Sequence, residues 1–157
     1  MLLANARSPA PPVKCRTMRL HGMISKCNIL ILIDLGANCS FVDAKLIEEL
    51  QLPTQPMSPA SYVVAGGDTL TSSTMVPQLS WWTQGHTFCQ DMKILPLGCY
   101  DLIVGADWLE NHSPMWVHWH KKWMRFTHEG QWITLKGIRS TPCKCKPVSV
   151  GKLKGLL

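Results

Sequence analysis

The chain has 157 residues and a mass of 17.6 kDa, which bounds it to one domain with tails, large enough to bury about two-thirds of its unfolded surface. Lys+Arg 16 outnumber Asp+Glu 10, and the resulting net charge of +6 permits contact with nucleic acid or an anionic surface without demanding it. A hydrophobic fraction of 46% suits a packed core, while no apolar run reaches the length of a membrane span and Met1-Leu2-Leu3-Ala4-Asn5, followed by Pro9, Pro11 and Pro12, is too short for a secretory segment.

In chain order, the first strong element is Asn28-Ile29-Leu30-Ile31-Leu32-Ile33, an apolar run that reads as a buried strand and ends on Asp34-Leu35-Gly36-Ala37. Gly36 lets backbone N–H groups approach the carboxylate without a Cβ in the way. An Asp-x-Gly tripeptide alone occurs by chance in about one chain in two of this size, so its meaning depends on context. A short helix is expected near Asp43 to Leu50, where Val42, Leu46 and Leu50 fall four apart. Ser61 to Leu70 is β-rich on both sides of Gly66-Gly67-Asp68 and reads as a hairpin. Tyr100 to Asp107 then repeats the first pattern: Leu102-Ile103-Val104 as a strand, Gly105 as the turn, and a helix starting at Ala106.

Downstream, Trp123 to Thr127 and Gln131 to Leu135 read as a second hairpin around Glu129-Gly130, its tryptophans expected as cross-strand core pairs. His118 and His120 share one face if they lie on a strand, but no third metal ligand stands in register, and polar positions on an outer face are the expected reading. Asp107 and Asp43 are expected to serve nearby backbone where their helices start. The seven cysteines, at 15, 27, 39, 89, 99, 143 and 145, form no framework, and Cys143-Lys144-Cys145 lacks the C-x-x-C spacing. Reduced thiols in the cytoplasm are the simplest account, with no metal and no cofactor implied.

The hydrophobic-Asp-x-Gly-Ala turn at Ile33 to Ala37, the glycine hairpin at Val64 to Leu70, the stretch Leu95-Pro96-Leu97-Gly98-Cys99-Tyr100-Asp101-Leu102-Ile103-Val104-Gly105-Ala106-Asp107-Trp108-Leu109, and the segment Phe126 to Gly137 together resemble the retroviral-type aspartic proteases of gypsy-type LTR retrotransposon polyproteins. The third is the most specific. The resemblance covers about His21 to Gly137 and implies three segments: a linker at 1–20, a protease domain at 21–137 and a basic linker at 138–157. It implies an all-β closed barrel with one or two short helices, acting as a homodimer on a peptide or polyprotein substrate. Asp34 would be the catalytic residue contributed by each protomer, with Leu35, Gly36 and Ala37 as its supporting loop. Ala65, Gly66, Gly67 and Asp68 would form the flap, and Val104 and Gly105 the second turn near the site.

One position departs from the family. Its loop carries Ser or Thr where this chain has Leu35, and in the family that hydroxyl bonds across the dimer. Leaving a buried backbone partner unpaired costs about 1–3 kcal/mol. Three readings follow: a homodimeric aspartic endopeptidase; a decayed remnant or interaction module that keeps the fold without the activity; and a basic nucleic-acid accessory, the partner class with least support.

Overall fold

The computed structural model describes residues 17–63 and 67–139. They form ten strands and two short helices: β1 Thr17–Ile24, β2 Cys27–Asp34, β3 Phe41–Asp43, α1 Ala44–Leu50, β4 Gln55–Val63, β5 Thr69–Thr83, β6 His86–Leu95, β7 Leu102–Val104, α2 Ala106–Asn111, β8 Met115–His118, β9 Trp123–His128 and β10 Gln131–Lys136. Seven strands lie in the order β1-β2-β7-β3-β6-β5-β4, and a further pairing of β1 with β5 turns the sheet back on itself as a barrel. The closing contact is Met23 opposite Trp82. Gly22 makes it possible, because a Cβ there would run into the Trp82 carbonyl and lie 2.7 Å from Ile31 Cδ1.

The two apolar runs of the sequence are the centre of this sheet. β2 and β7 pair in parallel, with Ile31, Leu32 and Ile33 opposite Leu102, Ile103 and Val104. All six side chains are buried, as expected where a strand is covered on both faces and Ile, Leu and Val replace the usual alternation. The main core lies on one face, built around Leu20, Ile31, Ile33, Trp81, Trp108 and Phe126. A smaller core lies on the other, where Leu32, Phe41, Leu95 and Ile103 receive Tyr62 and Leu70 from the β4–β5 hairpin. The ring of Tyr62 meets Phe41 edge-on at 5.0 Å. Leu32 shares its strand face with Asp34, so the hairpin is anchored on the side to which the carboxylate belongs.

The first helix starts one residue later than expected, and the reason is local. Phe41, Val42 and Asp43 pair with β6 and β7, so Val42 points into the core from a strand. Only Leu46 and Ile47 are the buried residues of α1. After α2, β8, β9 and β10 form a separate three-stranded sheet. Its hairpin falls where the alternation put it, but the faces are reversed. Met124, Phe126, Ile133 and Leu135 are buried, whereas Trp116 and Trp132 are 58% and 55% exposed. In a strand the parity of one residue decides this for all of them, and the Met124, Phe126, Ile133 and Leu135 set took the core. Trp81 and Trp108 are the tryptophans that fill the interior. β8 ends at His118, so His120 lies in the following turn and not on a shared strand face.

Candidate active site

Asp34 is the last residue of β2, and the β2–β7 register brings it beside Gly105. The chain turns at once: Ala37 N–H donates to the Asp34 carbonyl at 3.1 Å, and Gly36 N–H donates to Asp34 Oδ1 at 2.9 Å. The small residues predicted here therefore do what their size allows, with Ala37 buried beneath the turn and Gly36 lending its backbone to the carboxylate. Leu35 stands at the tip with 40% of its surface exposed. Burial pushes the Asp34 carboxyl above the ordinary aspartate value of 3.8, partly offset by the Gly36 N–H bond.

The second turn lies directly under the first. Ala106 N–H donates to the Ala37 carbonyl at 2.7 Å, and a Cβ on Gly105 would strike the carbonyl oxygens of both Ala37 and Cys39. Ser40, fully buried, locks the two together. Its Oγ donates to Asp107 Oδ1 at 2.6 Å and accepts from Gly105 N–H at 3.1 Å and from Gln90 Nε2 at 3.0 Å. Asp107 Oδ2 also accepts from Ser40 N–H at 3.1 Å. Asp107 does serve the first turn of α2, through Trp108 N–H at 2.7 Å, but its larger role is this tie across 67 residues.

The other acids near the turns are also long-range struts. Asp101 Oδ2 accepts from Leu30 N–H at 2.9 Å, and its backbone N–H donates to the Leu30 carbonyl, also at 2.9 Å, holding the start of β7 against β2. Asp43, the residue before α1, accepts from Leu97 N–H at 2.8 Å, and the backbone N–H groups of Lys45 and Leu46 at the helix start also favour its charged form, more weakly. Burial raises the Asp43 pKa, opposed by that bond and reinforced by the charge of Asp101. Sequence reasoning singled out Asp34, Gly36, Ala37 and Gly105 but missed Ser40, whose only signal was a hydroxyl between the Asp34 turn and the next strand.

Of the expected flap residues, Ala65 and Gly66 lie outside the described residues, as do Cys15, Cys143 and Cys145. Gly67 has a φ of +90° and Asp68 is exposed beside it, at the foot of β5. Among the described residues no group of three or more His, Cys, Asp or Glu side chains could hold a metal ion, and no helix is long and apolar enough to cross a membrane.

Comparison with known proteins agrees with this arrangement. The crystal structure of the retroviral protease-like domain of Ddi1 from Leishmania major superimposes with a TM-score of 0.56 at 15% identity, covering 78% of this chain and 94% of that one, which is a likeness of fold. No curated protein matches the chain. Residues 30–131 match the family described as the PEG10/RTL1 protease domain, a span that runs from β2 through both glycine turns into the β9–β10 hairpin. With two-thirds of its length in that match and a retropepsin-like, mostly β fold around the Asp34 turn, the chain belongs to the PEG10/RTL1 protease domain family.

Proposed function

We propose that the chain is an aspartic endopeptidase that works as a homodimer, with Asp34 from each protomer activating a water molecule. The observation that carries this reading is the Asp34 turn itself: a carboxylate at a strand end, fixed by the Gly36 N–H, raised in pKa, and crowned by an exposed leucine. A single protomer has one such turn. Asp43, Asp101 and Asp107 are engaged with backbone elsewhere, which supports a second acid supplied by a second copy.

Two carboxylates brought within a few ångströms do not both ionise readily, so the pair holds one proton, aspartic-protease dyads being the usual illustration. The ionised member takes a proton from water, the resulting hydroxide attacks the peptide carbonyl, and the protonated member donates to the developing oxyanion. The β4–β5 hairpin, with Ala65 to Asp68 as its flap, closes over an extended peptide and offers it strand-type hydrogen bonds. The substrate class that fits is an unfolded connector within a polyprotein, cut in the cytoplasm, with 1–20 and 138–157 as linkers of the same polyprotein around the 21–137 protease unit.

The second reading, a fold retained without activity, draws on Leu35, which can neither donate nor accept across a dimer. One experiment separates the two. The purified chain is assayed against a library of fluorogenic peptides at pH 4 to 7 while its association is followed by sedimentation. Cleavage that rises with the square of protein concentration, stops with a statine-type inhibitor and disappears in Asp34→Asn supports the protease. A chain that dimerises yet cleaves nothing supports the remnant.

A further inference from the structure

The outward face of the β8–β10 sheet is not part of the Asp34 site. Trp116 and Trp132 lie on it with ring centroids 5.2 Å apart, each more than half exposed. Trp123 lies beside them with the Arg125 guanidinium 5.7 Å from its ring centroid. Arg125 is held in place by a bond from Nε to Thr134 Oγ1 at 3.1 Å. Together these residues line a shallow groove of about 640 Å³. A monomeric protein seldom leaves this much indole in water without a use for it.

Charge decides what the groove suits. β8, β9 and β10 contain no Asp or Glu, while Arg125 and Lys136 project from them. Lys136 pairs with Trp123 across the strands and alternates onto the same face as Trp132 and Thr134, so both cations stand on the side of the rings. Flat rings flanked by two cations, on strands that carry no acid, match a ligand with flat bases and phosphates. We propose that this face binds single-stranded nucleic acid, with bases stacked on Trp116, Trp132 and Trp123 and the backbone led along Arg125 and Lys136. The interaction tolerates sequence, because every base offers a π-face and none of the stacking residues reads hydrogen-bonding edges.

The test uses the full chain and fluorescein-labelled 12-mers of uridine and of thymidine, followed by anisotropy and by quenching of intrinsic tryptophan fluorescence at 50 and 200 mM salt. The expected result is saturable binding that weakens with salt, an affinity loss of about tenfold for each of Trp116→Ala and Trp132→Ala, and recovery of most of it in Trp132→Phe. Arg125→Ala should flatten the logarithmic salt slope by about 0.7. Asp34→Asn should bind as wild type, which keeps this result independent of proteolysis. The three ring variants change exposed positions, and circular dichroism melts check that each is folded. Absence of binding at 50 mM salt overturns the proposal, as does equal binding by the double variant Trp116→Ala/Trp132→Ala. Heparin competing with the 12-mers while the tryptophan variants bind normally would reduce the face to a general polyanion contact and also overturn it. Two further outcomes assign the groove to another occupant: a sedimentation shift from dimer to monomer in the double variant points to a second copy, and quenching by a peptide of sequence Asn5 to Lys14 points to the chain's own proline-rich segment.

Discussion

The molecule contains two strand–turn–helix units, and they differ where it counts. In the first, β2 ends on a carboxylate and the chain loops through 35–40 before β3 and α1. In the second, β7 passes through Gly105 alone into α2. The first turn presents Asp34 and an exposed Leu35; the second is pressed against the backbone of Ala37 and Cys39, and its nearest acid, Asp107, is bound to Ser40. The first unit carries the carboxylate and the second holds its loop in place. Only the first unit ends its strand on an acid, which is why the proposed mechanism takes its second carboxylate from a second copy.

Removing the acid should have the largest effect. Asp34→Asn should lower peptide cleavage by about 10²–10⁴-fold, the usual worth of a positioned proton-transfer group. It should also stabilise the fold at neutral pH. The folded-state pKa of Asp34 lies above the unfolded value of 3.8, so ionisation costs the native state at pH above the folded pKa, and the cost fades as pH falls through that pKa towards 3.8. Thermal melts of the variant should therefore exceed wild type at pH 7 and converge with it near pH 3. A variant that melts below wild type at pH 7 contradicts the burial argument.

The supporting turn is tested by Gly105→Ala. The new methyl group meets backbone oxygens that cannot rotate away, and overpacking of this kind costs about 1–3 kcal/mol or more. Ser40→Ala comes next, leaving Gly105 N–H and Gln90 Nε2 without their acceptor, at about 1–3 kcal/mol. Both are read by denaturant titration. Both should also reduce cleavage by displacing the Asp34 turn, whereas a stability loss with full specific activity would uncouple the two units.

Two smaller effects sharpen the comparison. Leu35→Thr should tighten the dimer by about tenfold if one hydroxyl bond is regained. An unchanged sedimentation constant would mean that the exposed leucine already supplies equivalent contact, and the remnant reading would lose its support. His112 behaves oppositely to Asp34. Half-buried among Phe88, Trp108 and Phe126, it has a pKa lowered from 6.5 by desolvation, with the Trp108 carbonyl opposing that shift and His128 adding to it. Its contribution to stability is complete above pH 6.5 and is lost as pH falls through the folded pKa. Wild-type melting temperature should decline over that interval, and less so in His112→Asn.

Much of the architecture could be read locally. An apolar run of five aliphatic residues ending on Asp-x-Gly, and its echo at Leu102 to Gly105, predicted neighbouring strands with Asp34 and Gly105 at adjacent ends, and the β2–β7 register has them so. Hairpin positions followed from turn residues and alternation. Asp101, Asp107 and Asp43 were harder, because a carboxylate near a helix start has the same local signature whether it serves that helix or a strand tens of residues away.

The sequence by itself determined the strand ends, the glycine turns and the single Asp34, since these depend on steric freedom and apolar runs within a few residues. Tertiary structure decided the rest. Alternation defines two faces of β9 and β10 without ranking them, and it was the cavity beneath, already filled by Phe88 and Trp108, that took Phe126 and left Trp132 in water. Likewise Gly22 matters only because Trp82 arrives opposite it when the barrel closes, and Ser40 only because Gly105, Gln90 and Asp107 converge on its hydroxyl. Those partners are brought together by the packing of distant strands, and no local pattern of side chains encodes the distance between them.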